Sequence, residues 1–549
     1  MSRTLADDVL DRLASDGAEV IFTCPGTTEV ALLDASIDHP AIRLVLATHE
    51  TIAVAAADGY ARATGRPGVA LLHANVGLVN GLSMVEAARV GGSRLVVLNG
   101  TKPLGNRNRR GFTQTQGSAA VAAPFTVHAC AIETRQSALA DLGAALDRLH
   151  QGPAGPVYVE LPQDLLASPS LGRSLPAVSR GPAEWQPTAD TLDAARNLLT
   201  EAEGVVIVAG RQLADSPGAV SQLVQISRLL NAPVFEAPWR ELERETVDTT
   251  DQHYAGVLSF QPAALDNSVA LVVGTPQFLE PDGDPSLLAR CAHVLHVVTS
   301  PDEAIPGSLG LIGALGPTLS ALRSTIEQGS IEESTSSSRR DRLDACVREY
   351  IEQREHDAPP GGAGLSVGQL ADHLAENLLE PATVVLDAVT ATATLLRRLP
   401  RRPSRRLHAT GSGALGWGMG AAAGVAMAQA PERVFAIVSD GVFQFGIQAL
   451  HTAASQNLAV TWVVVNNRSY RAVELALSHY GGRAEAGGTY PCTDLGETNI
   501  AHVARGFGID AVRVDSVSEL AEAWRQQAAS VGPFLIEVLV DSPERNPAR

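Results

Sequence analysis

Two short stretches in the last third of the chain carry residues suited to holding a hard cation. In VFAIVSDGVFQFGIQALHTAASQNLAVTWVVVNNRSY, the apolar run Val434–Val438 leads into Ser439-Asp440-Gly441. A second run, Val460–Val465, leads into Asn466-Asn467-Arg468-Ser469. If both runs are parallel strands, ligands gather beyond their carboxyl ends, and the two loops face one spot. A carboxylate, an amide oxygen and main-chain oxygens suit Mg²⁺ or Ca²⁺, and Mg²⁺ commonly shares its shell with a phosphate. The run GSGALGWGMGAAAG, at 411–424, lies just upstream and allows a close backbone approach to a ligand. Asp-Gly and Asn-Asn are each ordinary turn formers. Their joint placement after two strands, 27 positions apart from Asp440 to Asn467, favours the site over the turns. A second carboxylate stands where the run Arg43–Ala47 passes through Thr48-His49-Glu50 into the Ala-rich helical stretch Thr51–Ala63. Glu50 there is either a helix N-terminal charge, stabilising by about 0.3–1 kcal/mol, or a reactive group.

These residues must be carried by α/β blocks. Apolar strand-like runs alternate with amphipathic or Ala-rich helical runs in three successive blocks, the pattern of doubly wound parallel sheets. Strands are expected at Glu19–Thr23, Arg43–Ala47, Gly68–Leu72, Leu95–Asn99 and Val157–Leu161 in the first block. They are expected at Gly204–Ala209, Val234–Glu236, Ala270–Val273 and Val294–Val298 in the second. The third adds Thr383–Leu386, Val434–Val438, Val460–Val465 and Phe534–Val538. Leu171–Pro187 reads as a linker, and the polar Gln328–Arg342 as a mobile connector. The expected domains are 1–175, 188–327 and 361–549, with 328–360 as a linker. No short internal repeat is visible, and periodicity does not show whether the first and third blocks are copies of one plan.

Composition removes several classes. The chain has 549 residues, 45% hydrophobic and 19% charged, so bulk disorder is excluded. The net charge of −18 argues against nucleic acid as a partner. No apolar stretch is long enough to span a membrane, and the start MSRTLADDVLDRL lacks a signal-peptide core. Five scattered cysteines form no CxxC pattern, which fits a reducing cytoplasm.

The Asp440-Gly441 and Asn466-Asn467 pair resembles the signature of thiamine diphosphate (ThDP) enzymes. So do HETIAVAAADGYARATGRPG around Glu50 and the PGTTE turn in VIFTCPGTTEVALLD. The resemblance covers all three blocks in the order pyrimidine-binding, central and diphosphate-binding domain. It implies that Asp440, Asn467 and the main-chain oxygen of Ser469 hold Mg²⁺ against the cofactor diphosphate, with Gly441 and Thr390 also at the cofactor. It implies that Glu50 bonds the cofactor pyrimidine and assists loss of the thiazolium C2 proton. Gly413 would offer its carbonyl to the cofactor amino group, and Leu415 would wedge the cofactor into a bent shape. Two departures are visible: Ser439 replaces the first glycine of the metal motif, and Val442 replaces a frequent phosphate-binding serine.

Within the family, His73 and Thr27 resemble the active-site histidine and the substrate-carboxylate serine of benzoylformate decarboxylases. A second histidine of that type falls on Pro281 here, while His253 and His293 read as structural or exposed. Acetolactate synthases carry Gly-Gly after the proline and Gln after the catalytic Glu; this chain has Thr27-Thr28 and Thr51. Thr28, His49, Gln114, Ala472, Val473 and Ala476 are candidate pocket positions, the alanines leaving room for a second substrate. The LGNRNRRGFTQTQG loop, with Arg107, Arg109 and Arg110, reads either as a solvated basic loop or as a patch for an anionic substrate. A central-block FAD is disfavoured, because VVIVAGRQLADSPGA lacks GxGxxG.

The expectation is therefore a ThDP- and Mg²⁺-dependent enzyme acting on a small 2-oxo acid. It would decarboxylate that acid and transfer the acyl anion to a carbonyl acceptor, an aldehyde or an acyl thioester. Simple decarboxylation to an aldehyde is the alternative, and a non-catalytic ThDP-binding paralogue is the alternative of another class. A homodimer or homotetramer is expected, because in the family the two halves of each site come from different subunits.

Overall fold

The computed structural model describes residues 2–107, 109, 111–149, 154–172, 185–216, 218–237, 247–275, 287–356, 364–378, 381–399 and 405–540. They form two compact units. One comprises Met1–Pro182, Val384–Thr390 and Ser412–Arg549, and the other Ala183–Thr383 and Ala391–Gly411. No described helix is long and apolar enough to cross a membrane.

Three six-stranded parallel sheets carry the fold. The first contains β1 (Val20–Thr23), β2 (Arg43–Leu46), β3 (Gly68–His73), β4 (Leu95–Thr101), β5 (His128–Ala131) and β6 (Val157–Pro162), in the order β2-β1-β3-β4-β6-β5. The second contains β7 (Val205–Ala209), β8 (Val234–Glu236), β9 (Tyr254–Val257), β10 (Val269–Val273), β11 (His293–Val298) and β12 (Leu309–Ile312), in the order β12-β11-β10-β7-β8-β9. The third contains β13 (Ala382–Asp387), β14 (Arg405–Ala409), β15 (Val434–Ser439), β16 (Val460–Asn466), β17 (Asp510–Val514) and β18 (Phe534–Leu539), in the order β14-β13-β15-β16-β18-β17. The first and third sheets thus share one strand order, a kinship that periodicity alone did not reveal. Central strands such as β4 and β16 are buried on both faces, which is why they read as continuous Val/Leu runs.

In the first unit the helix Glu50–Thr64 packs against the helix Trp417–Gln429, and both contribute to a single core with Phe22, Tyr60, Trp462 and Leu535. Their facing residues are Ala and Gly because the two backbones touch. A Cβ on Gly59 would lie 2.3 Å from the Ala421 carbonyl oxygen, and one on Gly424 would lie 1.9 Å from that of Ala56. Buried Ala53, Ala55 and Ala57 and buried Ala421–Ala423 extend this small-residue seam.

In the second unit one expectation needs correcting. Gln328–Arg342 is not a mobile connector: a helix runs over Glu333–His356. Its polar sequence hides an anchor. The buried guanidinium of Arg339 donates to the carbonyls of Leu199 at 2.7 Å, Thr200 at 3.2 Å and Ala202 at 3.0 Å, and so caps the end of the helix Ala189–Glu201. Leu343, Cys346 and Tyr350 are buried on the same helix. In the central sheet, Gly210 N–H donates to the Val273 carbonyl at 2.8 Å and Gln212 N–H to that of Gly274 at 3.0 Å. These bonds join the loops after β7 and β10, where the strand order reverses and an open sheet of this kind has its crevice. The linker expected at Leu171–Pro187 lies mostly outside the described residues.

Candidate active site

Glu50 is the first residue of its helix. It follows His49, whose Nδ1 accepts from Thr51 N–H at 3.2 Å as the helix cap. The Glu50 side chain is buried, and its Oε2 accepts from Asn80 Nδ2 at 3.1 Å. Asn80 lies on the helix Ala74–Val90, which also brings Gly77 and Gly81 against the carboxylate; a Cβ on Gly77 would be 3.5 Å from Oε1. Sequence reasoning missed Asn80. Its signal was the Gly77, Asn80, Gly81 spacing, which places three residues on one helical face.

The PGTTE turn folds back on His73, the last residue of β3. Thr27 is exposed, and among the described residues its hydroxyl makes no hydrogen bond. Thr28 and Glu29 are fully buried. The Thr28 hydroxyl contacts the Gly100 carbonyl at 2.9 Å, His73 Nδ1 at 2.9 Å and the Glu29 carboxyl. Glu29 accepts from Gly26 N–H at 2.8 Å and faces His73 Nδ1 at 3.2 Å. Burial pushes its carboxyl above the ordinary value, against the pull of Thr28, Gly26 and His73. The Cys24 thiol, just past β1, is pushed up to about 11 by burial and then by the negative charges of Glu50 and Glu29.

The expected metal loops converge as the register of β15 and β16 requires, Ser439 pairing with Val465. Asp440 opens a short helix capped by Ser439, whose Oγ accepts from Val442 N–H at 3.3 Å. Its Oδ1 accepts from Gly441 N–H at 2.8 Å, while its buried Oδ2 makes no hydrogen bond of ordinary length among the described residues. Burial raises this carboxyl to about 6, and the backbone N–H groups of Gly441, Arg468, Ser469 and Asn467 pull against the rise. A buried carboxylate oxygen without a partner is costly, and a cation there would satisfy it. Asn467 Oδ1 takes Ser469 N–H at 3.0 Å, and Arg468 holds the left-handed turn at φ 59. Asn466 plays a different part. Its amide donates to the fully buried Glu537 at 2.7 Å, which also takes Arg513 at 2.7 Å and Ala501 N–H at 2.9 Å. No group of three His, Cys, Asp or Glu side chains able to hold a metal exists among the described residues. The donor set is instead one carboxylate with amide and main-chain oxygens, and it fits Mg²⁺.

Beside these loops, Asp387 ends β13. It is buried, accepts from Gly418 N–H at 2.9 Å, and is raised to about 6 by burial. It fixes the helix that follows the glycine-rich turn. Val389, one residue before Thr390, has φ 49, a strained value for a β-branched residue. Around Gly413 an added Cβ would meet nothing within 4 Å, whereas Leu415 packs partly buried against the core.

The remaining expected positions are dispersed. Ala472, Val473 and Ala476 are exposed on one side of the helix Arg471–Tyr480. Glu474 of that helix turns inward to Ser469 Oγ at 2.6 Å. Arg107 is not a free anion receptor: it donates to the Ile132 carbonyl at 2.7 Å and pairs with Glu160 at 3.3 Å. Arg109 is exposed, and Arg110 lies outside the described residues. Gln114 donates to the Asn106 carbonyl within its own loop. His253 bonds Ser227 Oγ at 2.7 Å, and His293 is exposed at the start of β11. Pro281 lies outside the described residues.

A buried carboxylate at the end of β15 and a buried glutamate at the start of a helix after β2 stand at the carboxyl ends of parallel strands, where α/β enzymes bind their ligands. Residues 3–121 match the thiamine pyrophosphate enzyme N-terminal TPP binding domain, and residues 387–538 match the C-terminal TPP binding domain. Benzoylformate decarboxylase of Pseudomonas aeruginosa is 26% identical over 538 residues, covering 96% of this chain and 97% of that protein. The acetolactate synthase large subunit IlvG of Mycobacterium tuberculosis is 28% identical over 548 residues, covering 98% and 96%. The ThDP-dependent 4-hydroxybenzoylformate decarboxylase of Rhodococcus jostii RHA1 shares the fold with a TM-score of 0.83 at 22% identity, covering 98% of this chain and 99% of that one. Benzoylformate decarboxylase of Polynucleobacter necessarius does so with a TM-score of 0.83 at 20% identity, with the same coverage. The chain belongs to the ThDP-dependent enzymes, in the group that includes the 2-oxo acid decarboxylases and acetolactate synthases.

Proposed function

We propose that this enzyme decarboxylates a 2-oxo acid and transfers the acyl unit to a carbonyl acceptor, using ThDP and Mg²⁺. The observation that carries the cofactor reading is the buried Asp440 Oδ2, without a hydrogen bond among the described residues, beside the Asn467–Ser469 turn. Asp440, Asn467 and the Ser469 carbonyl hold the metal, and Gly441 and Thr390 border the diphosphate. When bound, ThDP supplies a carbon nucleophile and an electron sink for loss of the 2-oxo acid's carboxylate. Glu50 holds the proton exchanged with the pyrimidine ring, while Asn80 occupies Oε2 and leaves Oε1 for that exchange. Gly413 and Leu415 orient the cofactor. Thr27 receives the substrate carboxylate, and His73 handles protons at the reacting carbonyl.

Transfer to an acceptor is favoured over aldehyde release by Pro281, which in the sequence falls on the position of the second histidine of benzoylformate decarboxylases, and by the exposed small side chains of Ala472 and Ala476. The rival reading, plain decarboxylation, draws on the benzoylformate decarboxylase relative. A panel of 2-oxo acids, with and without aldehyde and acyl-thioester acceptors, separates the two by mass spectrometry. Hydroxyketone products support transfer; aldehyde alone under every condition supports decarboxylation.

The working assembly is a homodimer, or a pair of such dimers. Val76 and Val79, on the helix that carries Asn80, are 44% and 58% exposed, and Phe445, five residues past Asp440, is 54% exposed. A second subunit covers such apolar residues.

A further inference from the structure

The Glu29 carboxyl is wholly buried behind His73, and the proposed function leaves it unused. Three oxygens surround His73 Nδ1: Thr28 Oγ1 at 2.9 Å and the two Glu29 oxygens at 3.2 and 3.3 Å. A lone pair at Nδ1 would point into this oxygen-lined corner, whereas an N–H there has acceptors on every side. The Thr28 hydroxyl has one proton and the Gly100 carbonyl beside it, so it serves Nδ1 as an acceptor. The corner is built to a close fit. A Cβ on Gly26 would lie 2.3 Å from the His73 ring, and a Cβ on Gly100 would lie 2.1 Å from Glu29 Oε1. Ala74, directly after His73, takes the left-handed φ of 51, a conformation that a non-glycine residue adopts only when its surroundings enforce it. Nε2 lies on the other side of the ring and receives no hydrogen bond from the described residues; the side chain is 18% exposed.

We propose that Glu29, with Thr28, is a positioning residue that fixes His73 in the tautomer protonated at Nδ1, so that Nε2 faces a bound 2-oxo acid. The proton at Nδ1 stays with the Glu29 corner. The mobile proton is the one on Nε2: the lone pair takes it from solvent, which reaches the partly exposed ring, and hands it to the substrate-derived oxygen or carbon, which returns His73 to the neutral Nδ1–H form. The role at the substrate rests on the proposed function; the tautomer does not.

The test is ¹⁵N NMR of histidine-labelled holoenzyme with ThDP and Mg²⁺, with His73 assigned by its loss in His73→Gln. Wild type should show Nδ1 protonated and Nε2 bare in the neutral ring. Glu29→Gln keeps a carbonyl acceptor and should keep that tautomer. Glu29→Met removes the acceptor and should shift the tautomer ratio severalfold towards Nε2–H, with kcat down at least tenfold and ThDP affinity unchanged. A bare Nδ1 in wild type, or an unaltered ratio in folded Glu29→Met, overturns the assignment. If Glu29→Met does not fold, the wild-type spectrum and Thr28→Val decide, the latter being expected to weaken the Nδ1–H preference. A tautomer that follows Glu29 in an enzyme that turns over no 2-oxo acid sustains this assignment and rejects the functional reading. Turnover with a ring indifferent to Glu29 does the reverse.

Discussion

The indole Nε1–H of Trp417 donates a 2.7 Å hydrogen bond to Oδ2 of Asp58, both residues being wholly buried. The other oxygen of Asp58 takes Arg62 Nε at 2.9 Å, and the Arg62 guanidinium lies 4.8 Å from the indole centre. This triad locks the helix that begins with Glu50 to the helix that follows the glycine-rich turn. It accounts for the DGYAR portion of the sequence, where the aspartate and arginine hold a seam of small residues together.

Trp417→Phe keeps most of the apolar volume but leaves a buried carboxylate oxygen unpaired. The expected cost is about 1–3 kcal/mol, read from urea unfolding midpoints. An unchanged midpoint would mean that Asp58 finds a replacement donor and that the bond is not what holds the seam.

Much of this was legible in the sequence, because parallel strands buried on both faces are unbroken apolar runs. Val234–Glu236 was expected at its observed bounds, and β15 and β16 were each longer by one residue than expected. The edge strands β5, β9, β12, β14 and β17 were not legible. Tyr254–Val257 is four residues long, and Arg405–Ala409 begins with two arginines, so neither presents an apolar run. Asp440, Asn467 and Glu50 stood out because each follows a strand. Asn80 and Glu29 did not, since their significance lies in reaching Glu50 and His73, 30 and 44 positions away in the chain. Arg107 read as a free cation because Glu160, its partner, is remote in sequence.

Asp387 gives a pH dependence of defined sign. Burial raises its carboxyl to about 6, whereas an unfolded chain releases that proton near pH 4. Between these values the folded protein holds a proton that the unfolded chain has lost, so stability falls as pH rises through the window and stays lower above it. Asp387→Asn remains neutral and can still accept from Gly418 N–H. In the cofactor-free protein it should be more stable than wild type by up to about 2–3 kcal/mol above pH 6, with no difference below pH 4. Equal urea midpoints at pH 7.5 would show that Asp387 ionises in the fold without cost.

Asp440→Ala tests the metal assignment. It removes the buried carboxylate and should abolish Mg²⁺-dependent ThDP binding while far-ultraviolet circular dichroism stays unchanged. A variant that titrates with ThDP and Mg²⁺ as wild type does would exclude Asp440 as a ligand.

The dimer proposal can be tested by complementation. Glu50→Gln and Asp440→Ala chains, each inactive alone, form mixed dimers after subunit exchange. In a mixed dimer one site draws both intact halves and the other carries both defects. With equal mixing and independent sites, about a quarter of wild-type activity should return. No recovery despite proven exchange would mean that each site is built within one chain.

Whether Glu50 serves a working ThDP site is read from exchange of the cofactor's C2 proton with deuterium in the bound state. Wild type should exchange far faster than free ThDP. Glu50→Gln should bind ThDP within an order of magnitude of wild type yet exchange about 10²-fold more slowly or worse, as for loss of a proton-transfer partner. Equal exchange in wild type and variant would return Glu50 to a helix N-terminal charge, and exchange in wild type no faster than that of free cofactor would exclude a working ThDP site.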